Sequence, residues 1–380
     1  MIQDFFRNTT YRKGHDIMQI ALTKKLADGL KLKPQPAMEE IDPLFKWTAN
    51  WITTWDNRRS EDMRVLVNNA HRFAVIVYQV KRTDLKNIET IIQNAITNTF
   101  ATMNIHPDVI EAYMKQAGKI QFIKNSDRKA TAWVNKAGQE GSFHVSHEYN
   151  GIDNMYDDTI GAIISNIPVN YSKNFKDSYF PNEEMIHALS ELTDQSIYNY
   201  QAFELLVTLD LNVYKATRRL IVPANISFHK FHTVLQRTFN WKNYHLYDFE
   251  ILERDGIATT LVPFEENLEF NPTATLMNTQ VLSDYLPIHK HMLYRYDFGD
   301  NWEHEIKLVR VIKNHDQPSP YLLEAVGQTP PEDVGGVPGF NYFREIMLDP
   351  NHPEYHEMKN WAGYWNSELY DHQKRPGLIK

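Results

Sequence analysis

A chain of 380 residues exceeds what one ordinary hydrophobic core fills and predicts two domains. Hydrophobic residues make up 42% and aromatics 12% of it, which excludes disorder as the main state, and a formal net charge of -8 excludes a broadly basic protein that coats nucleic acid. The absence of cysteine excludes disulfides, thiolate metal sites and cysteine nucleophiles, so His, Asp and Glu are the metal ligands left.

Residues 1–17 read as an extension. Its first residues, Met1 to Lys13, lack the uninterrupted apolar core of a signal peptide, and no apolar run elsewhere approaches membrane-spanning length. The expectation is a soluble cytoplasmic protein that does not enter a membrane. A first domain is expected over 18–164. Within it, Ile20 to Leu26 leads into a polar stretch broken by Pro34 and Pro36, and Leu44 to Trp55 is rich in the β-branched and aromatic residues of a strand. Arg64 to Asn69 and Arg72 to Tyr78 predict a β-hairpin. Ile88, Ile91, Ile92, Ala95, Ile96 and Phe100 recur at helical spacing behind Asn87 as N-cap. A second helix runs from Pro107 to Gly118, and Ala130 to Val134 reads as a further strand. Trp47, Trp51 and Trp55, with Asn50, read as core rather than as the wall of a pocket.

On Lys24-Lys25-Leu26, Trp47-Thr-Ala-Asn50, Val65-Leu-Val-Asn68 and Tyr78, the segment from Met18 to Tyr149 resembles a family of small bacterial proteins known only as a domain of unknown function. That resemblance implies no activity. Asn150 to Leu189 then alternates turn formers and tyrosines with little periodicity, so residues 165–197 read as a connection.

The second domain is expected over 198–380. Phe203, Leu205, Val207, Leu209 and Leu211 alternate with polar residues as a half-buried strand, and Lys215 to Arg219 leads into Leu220 to Pro223. Ser227 caps a helix whose apolar side is Phe228, Phe231, Val234, Leu235 and Phe239, and His245 to Ile251 returns as strand. Met292 to Phe298 and Trp302 to Leu308 are strands joined by Gly299-Asp-Asn301, with Trp302, His304, Ile306 and Leu308 on one face. Pro330-Pro-Glu-Asp-Val-Gly-Gly336 is a shaped loop ahead of a short helix from Asn341 to Leu348.

The succession Arg218-Arg219, Val222-Pro223, Phe231-His232, Leu235-Gln236, Trp241 and His245-Leu246, followed by Tyr294 to Ile306, the Pro330 loop, Gly339-Phe340, Phe343, Asp349-Pro350, His352 and Trp361, resembles the plasmid pRiA4b ORF-3-like family. The resemblance covers 198 to about 365. It implies an α+β fold and an association with plasmids and transposable elements, and no settled activity. The chain departs from the family pattern where Gly327-Gln-Thr329 replaces an Arg-Ala-Cys and Val213 to Thr217 replaces a Pro-x-Ile-Trp, so no role of that Cys or Trp carries over. Taken together, the expected fold class is α+β, with two domains that each pack a mostly antiparallel sheet against helices.

Candidate chemistry gathers at the acidic turn and the Pro330 loop. Asp300, Glu332, Asp333 and His304 are candidate catalytic residues, and Asp297, Asp300, Glu303, Arg218, Arg219 and His245 are candidate binding residues. Asp297, Asp300, Glu303 and His304 around one cleft with Glu332 and Asp333 form a set that a divalent metal accepts, although no spacing is diagnostic and no residue is assigned as a metal ligand. His304 lies on the apolar face of its strand, and its first reading is a satisfied core histidine beside a turn made by Gly299 and Asp300. Arg218, Arg219, Lys230 and Arg237 offer a modest basic patch for phosphate. His352 and His356 stand four apart, a ligand spacing on a helix. The leading functional expectation is a binding protein that recognises nucleic acid or a partner protein near the Phe298 to His304 turn. The alternative is a metal-dependent hydrolase or nuclease.

Overall fold

The computed structural model describes residues 17–37, 41–53, 62–78, 80–81, 83–148, 155–156, 159–170, 178–254, 256–363, 365 and 376–379. The N-terminal extension up to residue 16, Trp55 and the Asn150 to Asn154 turn therefore lie outside the described residues. The chain divides into two compact units, Met1–Tyr198 and Asn199–Lys380. Among the described residues no helix is long and apolar enough to cross a membrane.

The first unit runs β1 (Ile17–Leu22), α1 (Lys24–Leu30), β2 (Lys46–Ile52), β3 (Met63–Asn68), β4 (Ala74–Tyr78), α2 (Ile88–Thr102), α3 (Pro107–Ala117), β5 (Lys119–Lys124), α4 (Arg128–Glu148), α5 (Thr159–Ser165), β6 (Val169–Asn170), β7 (Ser178–Tyr179) and α6 (Pro181–Ser190). Its main sheet has the order β4-β3-β2-β1-β5, with β1 parallel to both neighbours and the remaining pairs antiparallel. Both faces of this sheet are covered, which is why β3 and β4 are buried at every position. Trp47, Phe73, Phe100 and Tyr113 fill one core, and Val65, Val67, Ala74 and Ile76 meet Val134 of α4 and Ile160 of α5 in the other. Trp47 is fully buried, its indole N–H donating to the Tyr113 hydroxyl at 3.1 Å.

Two expectations for this unit are corrected. Ala130 to Val134 lies inside the long helix α4, not in a strand. Five residues are too few to separate a buried helix turn from a strand; the deciding signal is Asp127, whose carboxylate accepts from the amides of Lys129 at 2.7 Å and Ala130 at 3.2 Å as a helix cap does. Residues 181–190, read as connection, form α6, and Met185, Ala188 and Leu189 are buried in the first core. Pro181 at the first helical position and Glu183 and Glu184 in the first turn are what start it.

The second unit runs β8 (Tyr200–Asp210), β9 (Lys215–Pro223), α7 (Phe228–Phe239), β10 (Tyr247–Glu253), β11 (Gly256–Val262), α8 (Asn267–Phe270), β12 (Thr275–Leu276), β13 (His291–Tyr296), β14 (Trp302–His315), β15 (Tyr321–Val326), α9 (Gly336–Leu348), α10 (Tyr355–Ala362) and β16 (Gly377–Leu378). Its nine strands follow the order β12-β11-β10-β13-β14-β8-β9-β15-β16. All pairs are antiparallel except β11 with β12. The period-two pattern of β8 puts Leu205, Val207 and Leu209 on the face that holds the core with Phe231, Leu235 and Phe239 of α7. The Ser227 hydroxyl accepts from the Lys230 amide to start α7, and Asn240, at a φ of 65°, ends it in the left-handed region. Tyr294, Tyr296, Trp302 and Ile306 complete the core, while Glu204, Arg219, Asp248, Glu250, Arg295 and Glu303 occupy the alternate positions of the same strands.

Candidate functional site

Three segments meet at one end of the central strands: residues 240–246 after α7, the turn 297–301 between β13 and β14, and the loop 327–335 before α9. Each is fixed by its own chemistry. Asp297 and Asn301 take positive φ values of 59° and 54°, and the Asp297 Oδ1 accepts from the amides of Gly299 at 2.9 Å and Asp300 at 3.3 Å, so the aspartate builds the turn that carries it. The Asp300 Oδ2 then accepts from the Gly335 amide at 3.1 Å. Gly336, at a φ of 65°, lies so close that a Cβ would sit 2.6 Å from the Asp300 carbonyl oxygen, which only glycine tolerates. Residues 240–246 hang from α7 and β13: Gln236 Oε1 accepts from the Asn243 amide at 2.8 Å, and the Tyr296 hydroxyl accepts from the Tyr244 amide at 3.0 Å. The Asp297 amide donates to the Leu246 carbonyl at 2.9 Å and joins the first segment to the second.

These supports bring together His245, Asp297, Glu332 and Asp333. The His245 Nε2 lies 3.1 Å from Asp333 Oδ1, 3.5 Å from Asp297 Oδ2 and 3.9 Å from Glu332 Oε2. Glu332 Oε1 accepts from the Lys242 amide at 2.6 Å and from the Tyr296 hydroxyl at 3.1 Å. Among the described residues, Glu332 Oε2 and His245 Nε2 are buried and have no hydrogen-bond partner. Burial raises the Glu332 pKa above the ordinary carboxylate value, against the Lys242 and Tyr296 hydrogen bonds that pull it down. Burial likewise raises that of the Tyr296 phenol, which stays a hydrogen-bond donor. Donor atoms of His245, Asp297 and Asp333 all lie within 4.8 Å of one another, and one imidazole with carboxylate oxygens is a donor set for a divalent ion.

The other predicted residues lie elsewhere. His304 is fully buried in the core: its Nε2 accepts from the Trp241 indole at 3.2 Å, and its Nδ1 faces the Tyr294 and Trp302 carbonyls at 3.2 and 3.1 Å. Burial pushes its pKa down to about 3 and keeps it neutral. It is a satisfied core histidine, because the first part of β14 turns Trp302, His304 and Ile306 toward the core. Glu303 sits on the opposite face across from Arg295 and accepts from the Asn301 side-chain amide at 3.1 Å, away from the cluster. Asp300 braces the cluster from outside it.

Arg218 is buried at 3% exposure and spends its guanidinium on the carbonyls of Thr238, Thr217, Val326 and Gly327 and the hydroxyl of Thr329, at 2.7 to 3.2 Å. Burial lowers its pKa to about 10. Arg219 points to the other face and pairs with Glu204, so the two neighbours make no common phosphate patch with Lys230 and Arg237. α10 begins at Tyr355, leaving His352 ahead of the helix with its Nδ1 accepting from the Glu354 amide at 3.2 Å, so His352 and His356 share no helix face. The sequence reading missed Tyr296 and the Lys242 amide, which orient Glu332. The available signal was Tyr296 as the last residue of its strand, one step from the acidic turn.

Residues 201–374 match the family described as plasmid pRiA4b ORF-3-like protein, and residues 19–184 match a domain of unknown function, DUF6933. The chain is 38% identical over 162 residues to the uncharacterized protein y4hQ of Sinorhizobium fredii (strain NBRC 101917 / NGR234), a match spanning 41% of this chain and 78% of that protein. The chain belongs to the plasmid pRiA4b ORF-3-like family. The crystal structure of a protein of unknown function, MM3350, from Methanosarcina mazei Go1 is 27% identical and covers 47% of this chain and 95% of that one, at a TM-score of 0.39. Both family resemblances read from the sequence hold, and all four clustered residues fall in the pRiA4b ORF-3-like half.

Proposed function

We propose that the pRiA4b ORF-3-like half is a divalent-cation-dependent module, the ion held by His245, Asp297, Asp333 and Glu332, that binds and hydrolyses a phosphoester. The observation that supports this reading is the pair of buried orphan atoms, His245 Nε2 and Glu332 Oε2, 3.9 Å apart with two further carboxylates facing the same imidazole. Leaving a buried polar atom unpaired costs about 1–3 kcal/mol, and a cation between them satisfies both. A bound divalent ion supplies Lewis acidity and a water of lowered pKa. The chain's own residues set the rest. The Tyr296 hydroxyl and Lys242 amide fix Glu332 through Oε1 and leave Oε2 free. The turn amides occupy Asp297 Oδ1 and leave Oδ2 toward His245. The Asp333 side chain, 65% exposed, marks the side from which a ligand approaches.

The recognition of nucleic acid expected from the sequence fits the same cleft only through such an ion, because Asp297, Asp300, Glu332 and Asp333 repel phosphate by themselves. The test is thermal unfolding with Mn2+, Mg2+ or Zn2+ alongside a phosphodiesterase assay, on the intact chain, Asp297→Asn and Glu332→Gln. A Tm rise with at least one ion is expected, lost in both variants, with cleavage following the same pattern. No shift with any of the three ions ends the proposal; a shift without cleavage reduces it to cation-dependent binding.

A further inference from the structure

We propose that the first unit carries a separate site, built by Trp51, Asp62 and Arg64, that binds a free α-amino acid. The three residues sit where β2 ends and β3 begins: Trp51 and Arg64 are paired across the two strands, and Asp62 directly precedes β3. The geometry runs through one indole. The Trp51 Nε1–H donates to Asp62 Oδ2 at 2.7 Å, so the carboxylate lies at the edge of the ring, while the Arg64 guanidinium stands over its face, 4.0 Å from the ring centre. The ring is pressed against α1, where a Cβ on Gly29 would lie 2.5 Å from it. Two opposite charges are thus fixed on one small platform, one at its edge and one on its face.

Both charges are short of partners. Asp62 is 4% and Arg64 7% exposed, and among the described residues Asp62 Oδ1 and Arg64 Nε are buried without a hydrogen-bond partner, so the two side chains do not close on each other. The one hydrogen bond of the Arg64 guanidinium among the described residues runs from Nη1 to the Asp62 carbonyl at a long 3.5 Å. Arg218 shows how this chain treats a guanidinium that is only structure: buried to a like degree, it donates to four carbonyls and a hydroxyl. Trp47 makes the same contrast within β2, since its fully buried indole donates to a neutral hydroxyl, whereas the half-buried Trp51 holds a carboxylate. Burial lowers the Arg64 pKa against the pull of Asp62, as it does for a cation whose compensation is incomplete. An anion alone would meet Arg64 and be repelled by Asp62, and a cation alone the reverse, so the ligand brings both charges within the width of one indole. An α-amino acid does this on a single carbon: its carboxylate takes the Arg64 fork and its ammonium donates to Asp62 Oδ1.

The experiment is thermal unfolding of the intact chain with each of the standard L-amino acids in turn, then calorimetric titration of the one that raises Tm most. The titration compares the free amino acid with its N-acetyl form, which loses the ammonium, its α-carboxamide, which loses the carboxylate, and the form blocked at both ends, on the intact chain, Asp62→Asn and Arg64→Gln. At least one amino acid raises Tm, and blocking either end weakens binding by about tenfold or more. Asp62→Asn weakens the free amino acid to the same extent and leaves the N-acetyl form unchanged; Arg64→Gln does the same for the carboxamide. Where a variant fails to fold by circular dichroism, the blocked ligands on the intact chain decide. No Tm rise with any amino acid overturns the inference, as does an affinity that is the same in the intact chain and both folded variants. A blocked form that binds as tightly as the free amino acid also overturns it: the N-acetyl form then marks an anion site on Arg64, the carboxamide a cation site on Asp62, and the doubly blocked form a site for a neutral amide.

Discussion

Glu204, inside the interior strand β8, and Glu332, in the loop before α9, are both buried carboxylates of the second unit, and their surroundings are opposite. Glu204 is fully buried, yet Arg219 bonds one of its oxygens and Arg310 the other, at 2.6 and 2.5 Å. Burial works to raise its pKa, and the hydrogen bonds and charge of the two guanidiniums outweigh it and hold it below the ordinary value. Glu332 has one oxygen satisfied and one orphaned, faces further carboxylates, and its pKa is raised. A carboxylate whose donors are all supplied by the chain is structure; one left short at a cleft is where an external cation fits.

The contrast can be broken from either side. The largest effect is expected from Arg219→Ala with Arg310→Ala, which strands the Glu204 charge and costs about 3–5 kcal/mol in urea unfolding, whereas either single change costs less because the other guanidinium remains. Next comes acid. The folded pKa values of His304 and His232, pushed down by burial to about 3 and about 4, lie below the unfolded value of 6.5, so the unfolded chain takes up protons first. Stability is therefore full above 6.5 and falls as pH drops toward those folded values, by about 2 kcal/mol per group near pH 5. His304→Phe flattens that limb in a pH series of unfolding curves. Tyr296→Phe removes the donor to Glu332 and the acceptor of the Tyr244 amide, at a cost of about 1–2 kcal/mol and a smaller Mn2+-induced Tm shift. The smallest change has the opposite sign. Because burial raises the folded Glu332 pKa, the ion-free protein is penalised as pH rises through it, so Glu332→Gln stabilises that protein slightly at neutral pH while abolishing the Tm response to cations.

The sequence reading succeeds where period and cap agree. The alternation from Phe203 to Leu211, the Ser227-capped helix and the Arg64 to Tyr78 hairpin each carry their own local signal. It fails where the apolar window is short, as at Ala130 to Val134, and where turn formers mask helix-start residues, as at Pro181. At the site, His245, Asp297, Glu332 and Asp333 stand out by residue type, but their meeting depends on three segments distant in sequence, which no local period encodes. Glu303 shows the reverse. Alternation already places it opposite His304, and its charge alone drew it into the cleft reading.

The close approach of Gly336 to the Asp300 carbonyl has a use beyond this molecule. Any chain with a side chain at the equivalent position must displace its Pro-Pro-Glu-Asp loop from the turn, and the histidine and three carboxylates then do not converge. One codon can therefore sort pRiA4b ORF-3-like sequences into those able to assemble this cleft and those that keep the fold without it.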